Sequence, residues 1–321
     1  MNLLIFNSLF NKKINKFMVI SKTNENKENQ YCDKCNKQFV KIYEYKNIIL
    51  KELDIHNLLT HNVIDIDLYE KISELNLKNF DIYFINFRTN DMNIMDGLYE
   101  IGSNQIYIEK TKNIKNSKIN RFSEHYGFIE ILGNKINKII TLNKSRTIEE
   151  EKLLYLPVND LETFNYQIIY HTHPRFKNYG KRSSIIFEYP SISDIMHFID
   201  HHNYGKLLCS LIITPEGLYN IRKYNFNNEK IKIDTTIFTN KIESILLECE
   251  EYFYRKYYYE VITKELFFNK IIYDTFYINR INEELKQFDI AIDFYGRNNF
   301  NDNYIFTNIF IPIITQNIKI D

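Results

Sequence analysis

Two histidines one residue apart, at the end of an apolar run, constrain this chain more than any other feature. Tyr166-Gln-Ile-Ile-Tyr170 leads into His171-Thr172-His173-Pro174, and after a loop Pro190-Ser-Ile-Ser-Asp194 opens an apolar segment. The first run reads as a short strand. Alternate strand side chains share a face, so His171 and His173 point the same way with their imidazoles close together. Pro174 cannot continue a central ladder and stops the strand. Asp194 falls in the first turn of the expected helix, where its carboxylate can join the imidazoles. Two imidazoles and a carboxylate leave a fourth tetrahedral position open to water, the layout of a catalytic rather than a structural zinc. Ser191-x-x-Asp194 is also the pattern of a helix capping box, with Asp where Glu is usual.

These residues carry a resemblance. His171-Thr-His173-Pro174 followed by Ser191-Ile-Ser-Asp194 resembles the His-x-His-Pro…Ser-x-x-Asp signature of the JAMM (MPN-plus, JAB) metalloproteases. The resemblance covers residues 103–225 and implies an α/β (mixed) fold, an MPN-type curved mixed β-sheet flanked by helices. It implies zinc held by His171, His173 and Asp194, with Ser191 steadying the oxyanion. It also implies amide or isopeptide hydrolysis, with ubiquitin or a ubiquitin-like protein as substrate. The gap from Pro174 to Ser191 is about twice the family's usual spacing, an insertion whose closure entropy is small because that cost grows only slowly with loop length.

The family's general base is a glutamate in a Glu-x-x-Gly context, and both Glu124 (with Gly127) and Glu130 (with Gly133) fit it. Glu124 is preferred. It leaves a strand from Tyr126 to Leu132, a turn at Gly133-Asn-Lys135 and a return strand from Ile136 to Leu142, whereas Glu130 would shrink the first strand to a stub.

Further upstream, Cys32, Cys35, His56 and His61 occur in the order of a two-Cys two-His zinc finger. Cys-x-x-Cys places both sulfurs on one side of a tight turn. The stretch between Cys35 and His56 is longer than a finger's by roughly eight residues, so this set resembles an extended finger that would hold a second, structural zinc. The bland alternative is an unpaired Cys-x-x-Cys in a loop and two surface histidines.

Lys plus Arg and Asp plus Glu are both 41, so there is no basic excess to attract nucleic acid. The abundance of Asn, Lys, Ile, Tyr and Phe, with Ala291 as the lone alanine, is what AT-rich coding produces and says little about function. Four cysteines do not make a disulfide scaffold, which points to a reducing compartment. Met1-Asn-Leu-Leu-Ile-Phe6 lacks a basic flank and a cleavage site, and no apolar stretch approaches a membrane span. The expectation is an intracellular protein, cytoplasmic or nuclear, with no membrane partner.

The chain divides into a flexible lead-in (1–30), a finger-like module (31–90), the protease domain (103–225) and a helix-rich C-terminal region ending in strands (236–321). Within these, a helix is expected between Asn62 and Leu77, and strands at Phe80–Phe87 and Gln105–Glu109. Asn143–Phe164 is loop-like, with Leu153–Val158 extended. A helix runs from Ser191 to His202, followed by a buried strand Leu207–Ile213, a turn at Pro215-Glu-Gly217 and a strand Leu218–Tyr224. Ile242, Ile245, Leu246, Cys249 and Phe253 recur at helical spacing, a second helix spans Lys264–Gln287, and Tyr304–Ile311 pairs with a strand at Phe288–Phe294. Two rival functions stand beside the isopeptidase. One is the same hydrolase acting on other amides. The other is a nucleic-acid- or protein-binding finger protein with an MPN scaffold, disfavoured because scaffold domains lack the ligands present here.

Overall fold

The structure, a computed structural model, describes residues 82–103, 123–132, 135–141, 146–147, 164–174, 187–225, 229–301 and 303–314. The lead-in, Cys32, Cys35, His56, His61, the Asn62–Leu77 helix, the Gln105–Glu109 strand and the extended Leu153–Val158 lie outside these residues.

The chain is mixed α/β, with a large curved sheet flanked by helices. Its strands, in chain order, are β1 (Ile82–Phe87), β3 (Tyr126–Leu132), β4 (Lys135–Thr141), β6 (Ile168–Thr172), β7 (Cys209–Ile213), β8 (Gly217–Lys223), β9 (Ile290–Gly296) and β12 (Ile309–Ile314). Their spatial order is β12-β1-β4-β3-β6-β7-β8-β9, and all neighbours are antiparallel except β1/β4 and β6/β7. Two short ribbons stand apart: β2 (Ser123–Glu124) with β5 (Arg146–Thr147), and β10 (Asn298–Phe300) with β11 (Asn303–Ile305). The two edges of the sheet come near each other, since the Tyr295 hydroxyl of β9 donates to the Phe310 carbonyl of β12 at 2.9 Å.

Partners across a ladder share a face, so the registers divide the sheet. One face carries Phe128, Ile169, His171, Ile212, Tyr219, Ile221, Ile292 and Phe294. It is covered by α2 (Ile192–Tyr204), α3 (Thr235–Tyr257), α4 (Lys264–Asn269) and α5 (Phe276–Leu285), whose Phe198, Phe238, Phe253, Phe267 and Ile281 complete the core. Residues Phe238, Ile242, Ile245, Cys249 and Phe253 form the buried stripe of α3, capped by Asp234, which accepts from the Ile237 amide at 3.0 Å. This matches the helical spacing read from sequence.

The opposite face carries α1 (Thr89–Ser103), which sequence reading missed, with Met92, Met95 and Leu98 buried. It also buries two ion pairs. Arg222 grips Asp293 at 2.8 and 2.9 Å, and Arg297 meets Asp96 of α1 at 2.7 Å, each charge finding a partner where water cannot reach. Strands β7, β8 and β9 are buried on both faces, and the polar side chains among them, such as Arg222 and Asp293, find their partners within the fold.

Three expectations are corrected. The helix expected over Lys264–Gln287 is broken. Lys270 leaves the helical range (φ −136°), and Asp274 is extended (ψ 104°) so that its carboxylate caps the Phe276 amide at 3.1 Å and starts α5 afresh. Tyr304–Ile311 does not pair with the strand at β9: Asn303–Ile305 folds back on β10, and Ile309–Ile314 pairs with β1 instead. The sheet is also not confined to residues 103–225, for β1, β9 and β12 all come from beyond those bounds. No helix among the described residues is long and apolar enough to cross a membrane.

Candidate metal centre

Strand β6 ends as the sequence implies. Thr172 N donates to the His125 carbonyl at 2.9 Å and His173 N to the Ile213 carbonyl at 2.9 Å, so both neighbouring ladders run on to the second histidine. Ser191 is the N-cap of α2. Its hydroxyl accepts from the Asp194 amide at 3.2 Å while the Asp194 carboxylate accepts from the Ser191 amide at 2.6 Å, a complete capping box. The box turns the Asp194 side chain back over the start of the helix, toward the end of β6.

The three side chains converge. His171 Nε2 lies 3.1 Å from His173 Nε2 and 3.0 Å from Asp194 Oδ1, and His173 Nε2 lies 3.4 Å from Asp194 Oδ2. Ligands on one tetrahedral zinc, at 2.0–2.1 Å from the ion, stand about 3.3 Å apart, so this triangle has the right edge. The arrangement makes poor sense as hydrogen bonding alone, because two imidazole nitrogens face each other and the same carboxylate. These three residues form a group able to hold a metal ion; His171 and Asp194 are buried and His173 is half-buried.

Charge is concentrated accordingly. Burial by itself would disfavour a charged His173, but Asp194, Glu124 and Glu188 outweigh it and push the imidazole up to about 10. Burial likewise works against the Asp194 carboxylate, yet His171 and His173 hold it well below the usual carboxylate range. In the metal-free chain the centre is therefore an ion pair, and a metal would replace the proton.

Glu124 reaches this centre by register. Tyr126 is the ladder partner of His171, and the Thr172–His125 bond carries the pairing one residue further, to the neighbour of Glu124. Its carboxylate is close enough to raise His173. Glu130 pairs with Lys138 beyond the end of the β3/β6 ladder, six residues along the strand from Glu124 and so about 20 Å away. Gly127 completes the motif sterically. A Cβ there would stand 2.0 Å from the Ile140 carbonyl oxygen and 2.7 Å from the Tyr170 hydroxyl, so only glycine lets β3 pass this close.

No family model matches this chain, and no solved structure matches it. An uncharacterized protein of Acanthamoeba polyphaga mimivirus is 29% identical over 248 residues, which are 75% of this chain and 69% of that protein.

The structure adds three residues that sequence reading did not assign. His197 lies one turn after Asp194 with both ring nitrogens buried and no hydrogen-bond partner among the described residues, as is His171 Nδ1. Burial, with His201 and His171 nearby, pushes His197 down to about 3. The Glu188 carbonyl lies 3.3 Å from His173 Nδ1. Glu216, fully buried, holds the Glu188 amide at 3.0 Å. The helical period from Asp194 could have flagged His197, but nothing local in the sequence ties Glu188 or Glu216 to the histidines.

Proposed function

We propose that this chain is a zinc-dependent isopeptidase of the JAMM type, removing ubiquitin or a ubiquitin-like protein from a lysine amine. The observation that carries the reading is the triangle of His171, His173 and Asp194, with Glu124 close enough to raise His173. A zinc ion held by the triangle would act as a Lewis acid, bringing the pKa of a water toward neutrality.

The protein's own groups supply the rest. Glu124 accepts a proton from the attacking water as the new C–O bond forms, and returns it to the lysine nitrogen as the C–N bond breaks. Ser191 has two duties in this reading. In the resting chain its hydroxyl donates to Asp194 Oδ2 at 2.7 Å, which holds the carboxylate in place. To steady the tetrahedral oxyanion the hydroxyl turns from Oδ2 to the substrate, a contact of the kind worth a few kcal/mol of barrier.

Cleavage of di-ubiquitin of defined linkages tests the proposal. The wild type cleaves at least one linkage, and Glu124→Gln and chelator treatment each abolish it. A chain that binds zinc but leaves every linkage intact would be a hydrolase of other amides. The finger-like set raises a separate question, answered by metal analysis: Cys32→Ser reduces the zinc content from two ions to one if that set binds a second, structural ion.

A further inference from the structure

Glu216 is a buried carboxyl for which the hydrolytic chemistry has no use. It sits in the turn between β7 and β8, fully enclosed, where an ionisable group is costly unless it is hydrogen-bonded. Within the turn its carboxylate interacts with its own amide and with the Thr214 side chain, and the turn has further braces. Thr214 Oγ1 accepts from the Gly217 amide at 3.2 Å, and the Arg297 guanidinium, anchored on Asp96, donates to the Pro215 and Thr214 carbonyls at 2.9 and 3.0 Å. Gly217 makes room for this packing, since a Cβ there would stand 2.3 Å from the Tyr295 carbonyl oxygen.

The Glu216 side chain also reaches beyond its own turn. Its Oε1 accepts from the Glu188 amide at 3.0 Å and from the Tyr219 hydroxyl at 3.1 Å. Glu188 belongs to the strap Phe187–Pro190 that leads into the capping box, and its carbonyl faces His173 Nδ1 at 3.3 Å. An imidazole that donates its Nδ1 hydrogen to a carbonyl keeps the lone pair on Nε2, the atom turned toward His171 and Asp194. One buried oxygen is thus linked to one metal ligand through the main chain of a single residue.

We propose that Glu216 is a positioning residue for the metal centre: by holding the Glu188 main chain it fixes the carbonyl that orients His173, so that Nε2 faces the ion. The inference rests on reading the centre as a metal site. Alternatives for this buried region carry less. The cleft beside it, lined by Tyr189, Tyr219 and Tyr277, is a recess in the core with its acid, Asp274, already paired to Lys256, which leaves no charge to recognise a ligand.

Zinc affinity of the full chain, measured by competition with a chromophoric chelator, tests it alongside ¹⁵N spectra of the His173 ring. Glu216→Gln keeps an acceptor oxygen at the same reach and binds zinc within about threefold of the wild type. Glu216→Ala and the volume-matched Glu216→Met lose about 10–100-fold, the usual cost of removing an outer partner of a ligating histidine, and the His173 ring loses its single Nδ1–H tautomer. Glu188→Pro, which deletes the amide hydrogen from the other side of the contact, gives the same loss even if the Glu216 variants fail to fold. Folded Ala or Met variants with wild-type affinity overturn the proposal, as does a Gln variant as impaired as Ala. A wild-type chain that takes up no zinc overturns both this inference and the metal-centre reading; zinc uptake with unchanged variants overturns this one alone.

Discussion

The Ser191 hydroxyl donates to Asp194 Oδ2 at 2.7 Å, while Oδ1 of the same carboxylate lies 3.0 Å from His171. A helix-cap partner and a candidate metal ligand are one side chain here. Replacing Ser191 therefore affects two measurable quantities.

Ser191→Ala removes the acceptor for the Asp194 amide, and loss of such a cap costs about 1 kcal/mol. Urea unfolding of the metal-free chain reports that loss. Zinc affinity falls as well, because the carboxylate loses the hydroxyl that holds it. A variant that loses stability but keeps full affinity would show that the cap does not orient the ligand.

On the proposed reading, zinc uptake releases a proton. His173, raised to about 10 by Asp194, Glu124 and Glu188 against its burial, is charged at pH 7 and must lose its proton to ligate. Calorimetry in two buffers of different ionisation enthalpy reads about one proton released per zinc, and affinity climbs about tenfold per pH unit through neutrality. Asp194→Asn removes the main charge holding that proton and lowers the release.

The metal-free chain has a stability window set by the same pair. His173 is raised from 6.5, so its contribution is complete below that value and fades as pH rises through about 10. Asp194 is depressed below its ordinary 3.8, so its contribution is complete above that value and fades as pH falls further. His197, pushed down to about 3, opposes folding as pH drops below 6.5, because the unfolded chain takes up a proton that the buried ring refuses. Denaturant midpoints between pH 4 and 9 show the curve, and His197→Leu flattens its acid limb.

Glu124→Gln and Glu130→Gln separate the two candidate bases. The first lowers the rate of amide cleavage by about 10²–10⁴-fold, the range for a lost general base, while zinc content stays the same. The second changes neither, since Glu130 lies beyond the ladder that carries the histidines.

Gly127→Ala forces a methyl group onto the Ile140 carbonyl and the Tyr170 hydroxyl. Overpacking of this kind costs about 1–3 kcal/mol, more if the strand cannot yield. Urea unfolding measures it, and the displaced β3 also carries Glu124 out of register, so cleavage falls further than stability alone explains.

Local pattern made the centre readable. A strand's alternation paired His171 with His173, and the capping pattern placed Asp194 at a helix start. Choosing Glu124 over Glu130 also came from local spacing, because a strand must be long enough to pair. What sequence could not show was long-range. Helix α1 hides behind turn-forming Asn90, Asp91, Asn93 and Gly97, and its buried Asp96 is satisfied only by Arg297, far along the chain. The break before α5 depends on Asp274 turning its carboxylate to Phe276, and apolar periodicity runs through it undisturbed. Pairing of β12 with β1 joins segments more than 200 residues apart, as from Ile311 to Ile85.

That last pairing bears on how the chain can be dissected. An expression fragment trimmed to 103–225 would strip off β1, β9 and β12, leaving β4 and β8 as raw edges with unmet amides and carbonyls. Such edges recruit other strands, and the product would be insoluble aggregate rather than a smaller folded domain. The shortest soluble unit should run from the start of β1 to the close of β12.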